Sequence, residues 1–96
     1  MHYDHVLFSG HAVQQMFYRE ITKKDVIEVI ENGNVIASYS GDKPYPSCLK
    51  LGFVNEKPIH VVFAVDNKTR TAIVVTTYIP DSNLWSEDFS SRRNKL

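Results

Sequence analysis

The chain lacks most of the features that announce a function. It has one cysteine, Cys48, which excludes an internal disulfide and fits a reducing compartment. No apolar run approaches the roughly 20 residues needed to cross a bilayer. The opening Met-His-Tyr-Asp-His has no signal-peptide core. These absences point to the cytoplasm and to no membrane partner. With 11 basic and 11 acidic residues the formal net charge is zero. Nothing global therefore attracts a polyanion, and any such site must be a local patch. There is no phosphate-cradling glycine loop, no paired-cysteine zinc pattern and no nucleophile elbow. Internal repeats and low-complexity segments are also missing.

What remains is one small domain, residues 1–96, with an ordinary apolar fraction of 43%. Its centre is the stretch Pro58–Ile79, in which two β-rich runs flank the polar turn Asn67-Lys68-Thr69-Arg70. This is a hairpin signal. Alternation places Ile59, Val61, Phe63 and Val65 on one face and His60, Val62, Ala64 and Asp66 on the other. In the second run it groups Ile73, Val75 and Ile79 against Ala72, Val74, Thr76 and Tyr78.

The lead-in Met1–Leu7 reads either as a short strand or as extended chain. Ser9 is an N-cap candidate before a helix over Gly10–Arg19, with Ala12, Val13, Met16 and Phe17 at helical spacing. Thr22 and Asp25 form a capping-box pair before a second helix, Lys23–Glu31, which Asn32-Gly33 ends by a left-handed glycine. Val35–Tyr39 and Cys48–Val54 read as strands joined across the loop Ser40–Pro46. Leu49, Leu51 and Phe53 share one face of the later strand, and Lys50 lies on the other. Trp85 and Phe89 stand one helical turn apart, which predicts a short docked helix before the basic tail Arg92–Leu96.

Short connections imply an antiparallel meander. The predicted fold is α+β, with two N-terminal helices on one face of a four-stranded antiparallel sheet and a short C-terminal helical segment. The apolar faces are expected under the helices. Lys50, His60, Thr76 and Tyr78 are expected on an open face.

His60 carries the chemistry if any residue does, because imidazole exchanges protons near neutrality. With Tyr78 on the next strand and a cation nearby, it can cleave RNA without a metal. One group takes the 2′-hydroxyl proton, another protonates the leaving oxygen, and the cation stabilises the phosphate charge. His11 is a candidate second imidazole. Arg19 is a phosphate clamp or simply a cation suited to a helix C-terminus. Lys50, Thr76 and Arg92 complete the substrate-binding candidates. The plainer reading makes His60 a half-buried histidine bonded to a neighbour. A metal site built from His2, Asp4, His5 and His11 matches no ligand spacing, and no cofactor is expected.

Several motifs in order resemble a bacterial family, DUF family 4258. They are Phe8-Ser9-Gly10-His11-Ala12, Met16 to Thr22 with Arg19, Asp25 to Gly33, Tyr39, Lys43-Pro44-Tyr45-Pro46, Pro58-Ile59-His60-Val61-Val62, Thr76-Thr77-Tyr78-Ile79-Pro80-Asp81, Trp85 and Arg92-Arg93. The resemblance implies a RelE-like or barnase-like endoribonuclease toxin of a type II toxin–antitoxin pair. It also implies a cognate antitoxin, often with a zinc-binding segment, and RNA as substrate. His11, Arg19, His60 and Tyr78 carry over by position as catalytic residues. Gln15 and Glu20 stand where the family often has arginine and glycine. That departure favours the alternative, a non-catalytic protein- or RNA-binding module. The enzyme reading requires His11, Arg19, His60 and Tyr78 in one cleft. It fails if Arg19 faces solvent and His60 is sealed.

Overall fold

The computed structural model describes residues 3–93. His2 and the basic end Asn94–Leu96 lie outside the described residues. In chain order the elements are β1 (His5–Phe8), α1 (Gly10–Arg19), α2 (Lys23–Asn32), β2 (Asn34–Tyr39), β3 (Ser47–Val54), β4 (Lys57–Asp66) and β5 (Thr71–Tyr78). The sheet has five strands in the order β1-β5-β4-β3-β2. β1 runs parallel to β5, and the other pairs are antiparallel. The fold is therefore α+β with a mixed sheet, and the expected four-stranded antiparallel sheet behind two leading helices is incorrect. The last three residues of the lead-in, with Phe8, pair with the last strand, and only then do the helices begin. Among the described residues no helix is long and apolar enough to cross a membrane.

Both helices start where side-chain oxygens satisfy free backbone N–H groups. The Ser9 hydroxyl accepts from the Ala12 amide at 3.0 Å and donates to the Val75 carbonyl at 2.8 Å, which ties α1 to β5. Thr22 and Asp25 form a complete capping box. α1 ends at Glu20, which adopts φ 55° and ψ 40°, a left-handed conformation that glycine takes without cost. Gly33 does the reverse of what its sequence position implies. It is extended, with φ −76°. Glycine is required there because a Cβ would lie 2.5 Å from the Val29 carbonyl oxygen and 2.7 Å from that of Leu51.

The main core joins Ala12 and Met16 of α1 and Val26, Val29 and Ile30 of α2 to Ile59, Val61, Phe63, Ala72 and Val74 of the sheet. The register corrects the faces expected for β3. Lys50 pairs with Val61 and Gly52 with Ile59, so Lys50 and Gly52 lie on the helix side. The Lys50 ammonium donates to the Ile30 carbonyl near the end of α2, where helix carbonyls lack partners. Gly52 leaves room for the Val29 side chain. Leu49, Leu51 and Phe53 therefore face the opposite side. In β5 the register shifts at Val75, so Ala72 and Val74 face the helices and Ile73 does not. Strict alternation cannot anticipate such a bulge.

Both sides of β3 and β4 are covered, because Leu49 and Leu51 are buried on the side away from the helices. On that side residues 81–93, which form no helix, bring Trp85 and Phe89 against His60 and Phe53. Trp85 and Arg92 make an isolated antiparallel bridge, and Phe89 adopts φ 62°. Asp88 explains the loss of the predicted helix. Its carboxylate accepts from the Ser86 and Ser90 hydroxyls at 2.6 and 2.7 Å and from the Ser90 amide at 3.1 Å, bonds that compete with a helical backbone.

Two substitutions at helix ends should act in opposite directions. Glu20→Gly relieves a left-handed non-glycine residue and should stabilise the fold by roughly 1 kcal/mol. Gly33→Ala drives a methyl into two carbonyls and should destabilise it by about 1–3 kcal/mol. Urea midpoints for the two variants check both signs; equal midpoints would refute the backbone argument.

Candidate functional site

The strands bring His60 and Tyr78 directly opposite each other, with Thr76 two residues back on the same side, opposite Val62. His60 exposes 0% of its surface. Its Nε2 lies 2.8 Å from the Phe89 carbonyl oxygen. A carbonyl only accepts, so Nε2 carries the proton and donates. In the neutral ring Nδ1 then holds a lone pair, and it accepts from the Tyr78 hydroxyl at 3.2 Å. Both ring nitrogens are committed. Trp85 meets the imidazole edge to face, with ring centres 4.4 Å apart and planes at 89°. The Arg92 guanidinium sits 5.5 Å from the Trp85 ring centre, and Phe53 packs against Phe89.

Burial pushes the His60 pKa below its ordinary value, and the Phe89 carbonyl opposes this less strongly. Burial raises the Tyr78 phenol, with Tyr39 acting in the same direction and Arg92 against it. The cluster therefore holds a neutral imidazole and a neutral phenol under a cationic lid residue. Asp88, within that lid, is held down to about 2, first by the Ser86 hydroxyl and then by Ser90.

The remaining candidates lie elsewhere. His11 and Arg19 are exposed on α1, whose buried residues enter the core on the helix side. Lys50 also lies on that side, bonded to α2. His60 exposes no surface and so lines no cleft with any of them. Arg92 does join the His60–Tyr78 cluster, through Trp85. Among the described residues no three His, Cys, Asp or Glu side chains are gathered so as to hold a metal. Asp4 is paired with Arg70 at 2.7 Å, and His2 lies outside the described residues.

The sequence reading missed the role of Trp85 and Phe89 as the cover of His60. Their only signal was their bulk, in a polar stretch following the last strand.

The chain matches the family described as Domain of unknown function (DUF4258) over residues 8–79. It belongs to that family. No curated protein and no solved structure matches it. The DUF4258 span includes Ser9, both helices, His60 and Tyr78, and it ends before Trp85, Phe89 and Arg92.

The sealed histidine makes stability depend on pH. Unfolded His60 gains a proton near 6.5, while the folded ring resists it to lower pH. Stability should therefore be complete above that value and fall as pH drops below it, levelling off once the folded ring also protonates. His60→Gln should be less stable at neutral pH but flatter between pH values on either side of 6.5. Urea midpoints across this window measure it, and parallel wild-type and variant curves would refute the assignment.

Proposed function

We propose that this DUF4258 member is a protein-binding module: a degenerate RNase toxin that keeps a partner surface without a working cleavage site. The observation that carries this reading is the state of His60, whose two nitrogens are bonded inside the protein and which exposes no surface. General acid–base catalysis needs a group within reach of the substrate proton. The zero net charge also supports a protein over RNA, because nucleic-acid affinity rests on phosphate neutralisation. The partner surface is the outer side of α1. Phe17 is 82% exposed, and Val13, one turn earlier, is half exposed. Exposed apolar side chains of this size suit a protein partner. In this reading the partner is an antitoxin-type protein, with or without zinc, met in the cytoplasm where Cys48 stays reduced.

A second reading has one observation in its favour. His60, Tyr78 and Arg92 already converge, with Thr76 alongside. Were Trp85 and the Phe89 carbonyl drawn off the ring with Arg92 left beside Tyr78, His60 and Tyr78 would handle the protons of a metal-independent RNA cleavage and Arg92 the phosphate charge. His11, Arg19 and Lys50 take no part in that arrangement.

One pair of assays separates the readings. The purified chain should leave labelled RNA intact, and its induction should not arrest bacterial growth. Co-expressed with the product of the gene beside its own, it should co-elute as a complex that Phe17→Ser weakens by about tenfold or more. Growth arrest relieved by both His60→Ala and Tyr78→Phe, each still folded, would overturn the module reading in favour of the nuclease.

A further inference from the structure

The two edges of the sheet are guarded unequally. An edge strand presents unpaired N–H and C=O groups, and proteins blunt such edges with charge, proline, shortness or bulges. β1 is four residues long, and the Asp4–Arg70 ion pair stands at its start. β2 is six residues long, reads Asn-Val-Ile-Ala-Ser-Tyr, and carries neither charge nor proline. Among the described residues β3 is its one strand partner. Val35 is 51% exposed and Tyr39 40%. Among the described residues the bulge at Ile36 is the only guarding feature on this edge.

That bulge sets which registers a second strand can use. Val35 pairs with Lys50 and Ser38 with Cys48, so both β2 residues lie on the helix side although they are three apart. Asn34 pairs with Leu51 and Tyr39 with Ser47, so both lie on the other side. In a two-fold antiparallel pairing, opposed residues must share a face. Val35 opposite Ser38 satisfies this, and so does Asn34 opposite Tyr39. The bulge makes β2 self-complementary about its own centre. Beside Ser38 lies a depression of about 560 Å³, floored by Cys48, Phe63 and Val65 and lined by no charged side chain. It suits an uncharged apolar group such as the valine of a second copy. Zero net charge leaves no long-range repulsion between copies.

We propose that two copies of this chain pair antiparallel through β2, with Val35 of each opposite Ser38 of the other beside this depression, joining two five-stranded sheets into one. The contact is isologous and closed, the commonest form of homo-oligomer.

Sedimentation equilibrium of the full chain from micromolar to submillimolar concentration should show a shift from 11.0 kDa toward twice that mass. Val35→Lys should abolish the shift while unfolding at the wild-type urea midpoint. Leu7→Lys, which adds the same charge at the β1 edge, should leave it intact. Opposed residues in antiparallel strands sit roughly 4.5–5.5 Å apart at Cα, within reach of a disulfide. A Val35→Cys, Ser38→Cys, Cys48→Ser chain should therefore oxidise to a covalent dimer. A wild type that stays monomeric overturns the proposal, whether or not its edge captures a foreign strand. A dimer that survives Val35→Lys, or that the cysteine pair fails to cross-link, places the contact elsewhere and also overturns it.

Discussion

One imidazole proton holds the far side of this sheet together. His60 is buried and neutral, and its single N–H points at the Phe89 carbonyl. The ring can accept from Tyr78 only because that proton is on Nε2. The donor and acceptor thus tie β4, β5 and the segment after β5 through one ring. Leaving either nitrogen without a partner in this environment costs about 1–3 kcal/mol, a large fraction of the roughly 5–15 kcal/mol by which folded domains are stable. Trp85 closes over the same ring, and Arg92 closes over Trp85. The C-terminal segment is therefore anchored on this one ring, through the Nε2 proton and the face of Trp85.

This dependence explains the composition of the central strands. A sheet covered by helices on one face and by chain on the other needs apolar residues on both sides. β4 shows it, with Ile59, Val61 and Phe63 buried toward the helices and His60 and Ala64 buried away from them. β3 shows it too: Leu49 and Leu51 are buried beyond the sheet, and Lys50 and Gly52 serve α2. The lysine is tolerated on the helix side because its ammonium donates a hydrogen bond to the Ile30 carbonyl near the end of α2. A half-covered sheet would have left Leu49 and Leu51 exposed.

The same facts mark what could be read in the residues alone. Ser9 and Thr22 begin their helices as their side chains dictate, because capping is a local interaction. The hairpin about Asn67–Arg70 and the opposition of His60 to Tyr78 follow from local pairing. The rest depends on distant partners. Four residues of β1 become a strand only because β5 lies parallel to them, 66 positions on by register. The faces of β3 are undecidable from alternation when both are apolar. Val75 and Ile36 break the period through bulges that no local pattern marks. Trp85 and Phe89 have helical spacing, but Asp88 between them engages two serine hydroxyls and turns the chain instead. Gly33 ends α2 as expected and for another reason, the nearness of two carbonyls.

Family membership and chemistry separate along the chain for this reason. The DUF4258 match covers residues 8–79 and so includes the histidine and tyrosine that a nuclease would use. The groups that occupy and shield His60, namely the Phe89 carbonyl and the Trp85 ring, lie beyond it. Two chains sharing the matched span can thus present the same pair of side chains in opposite chemical states, open to a substrate proton or sealed and bonded. Glu20 sharpens the point. A carboxylate where the resemblance implies a glycine reads as damage to a phosphate site, yet in this fold the position is a left-handed cap at the end of α1, whose buried residues enter the core on the helix side. Glycine is suited there by backbone geometry, whatever the chain does with RNA. The state of the histidine, by contrast, is set by the chain that follows the last strand, through the Phe89 carbonyl and the Trp85 ring.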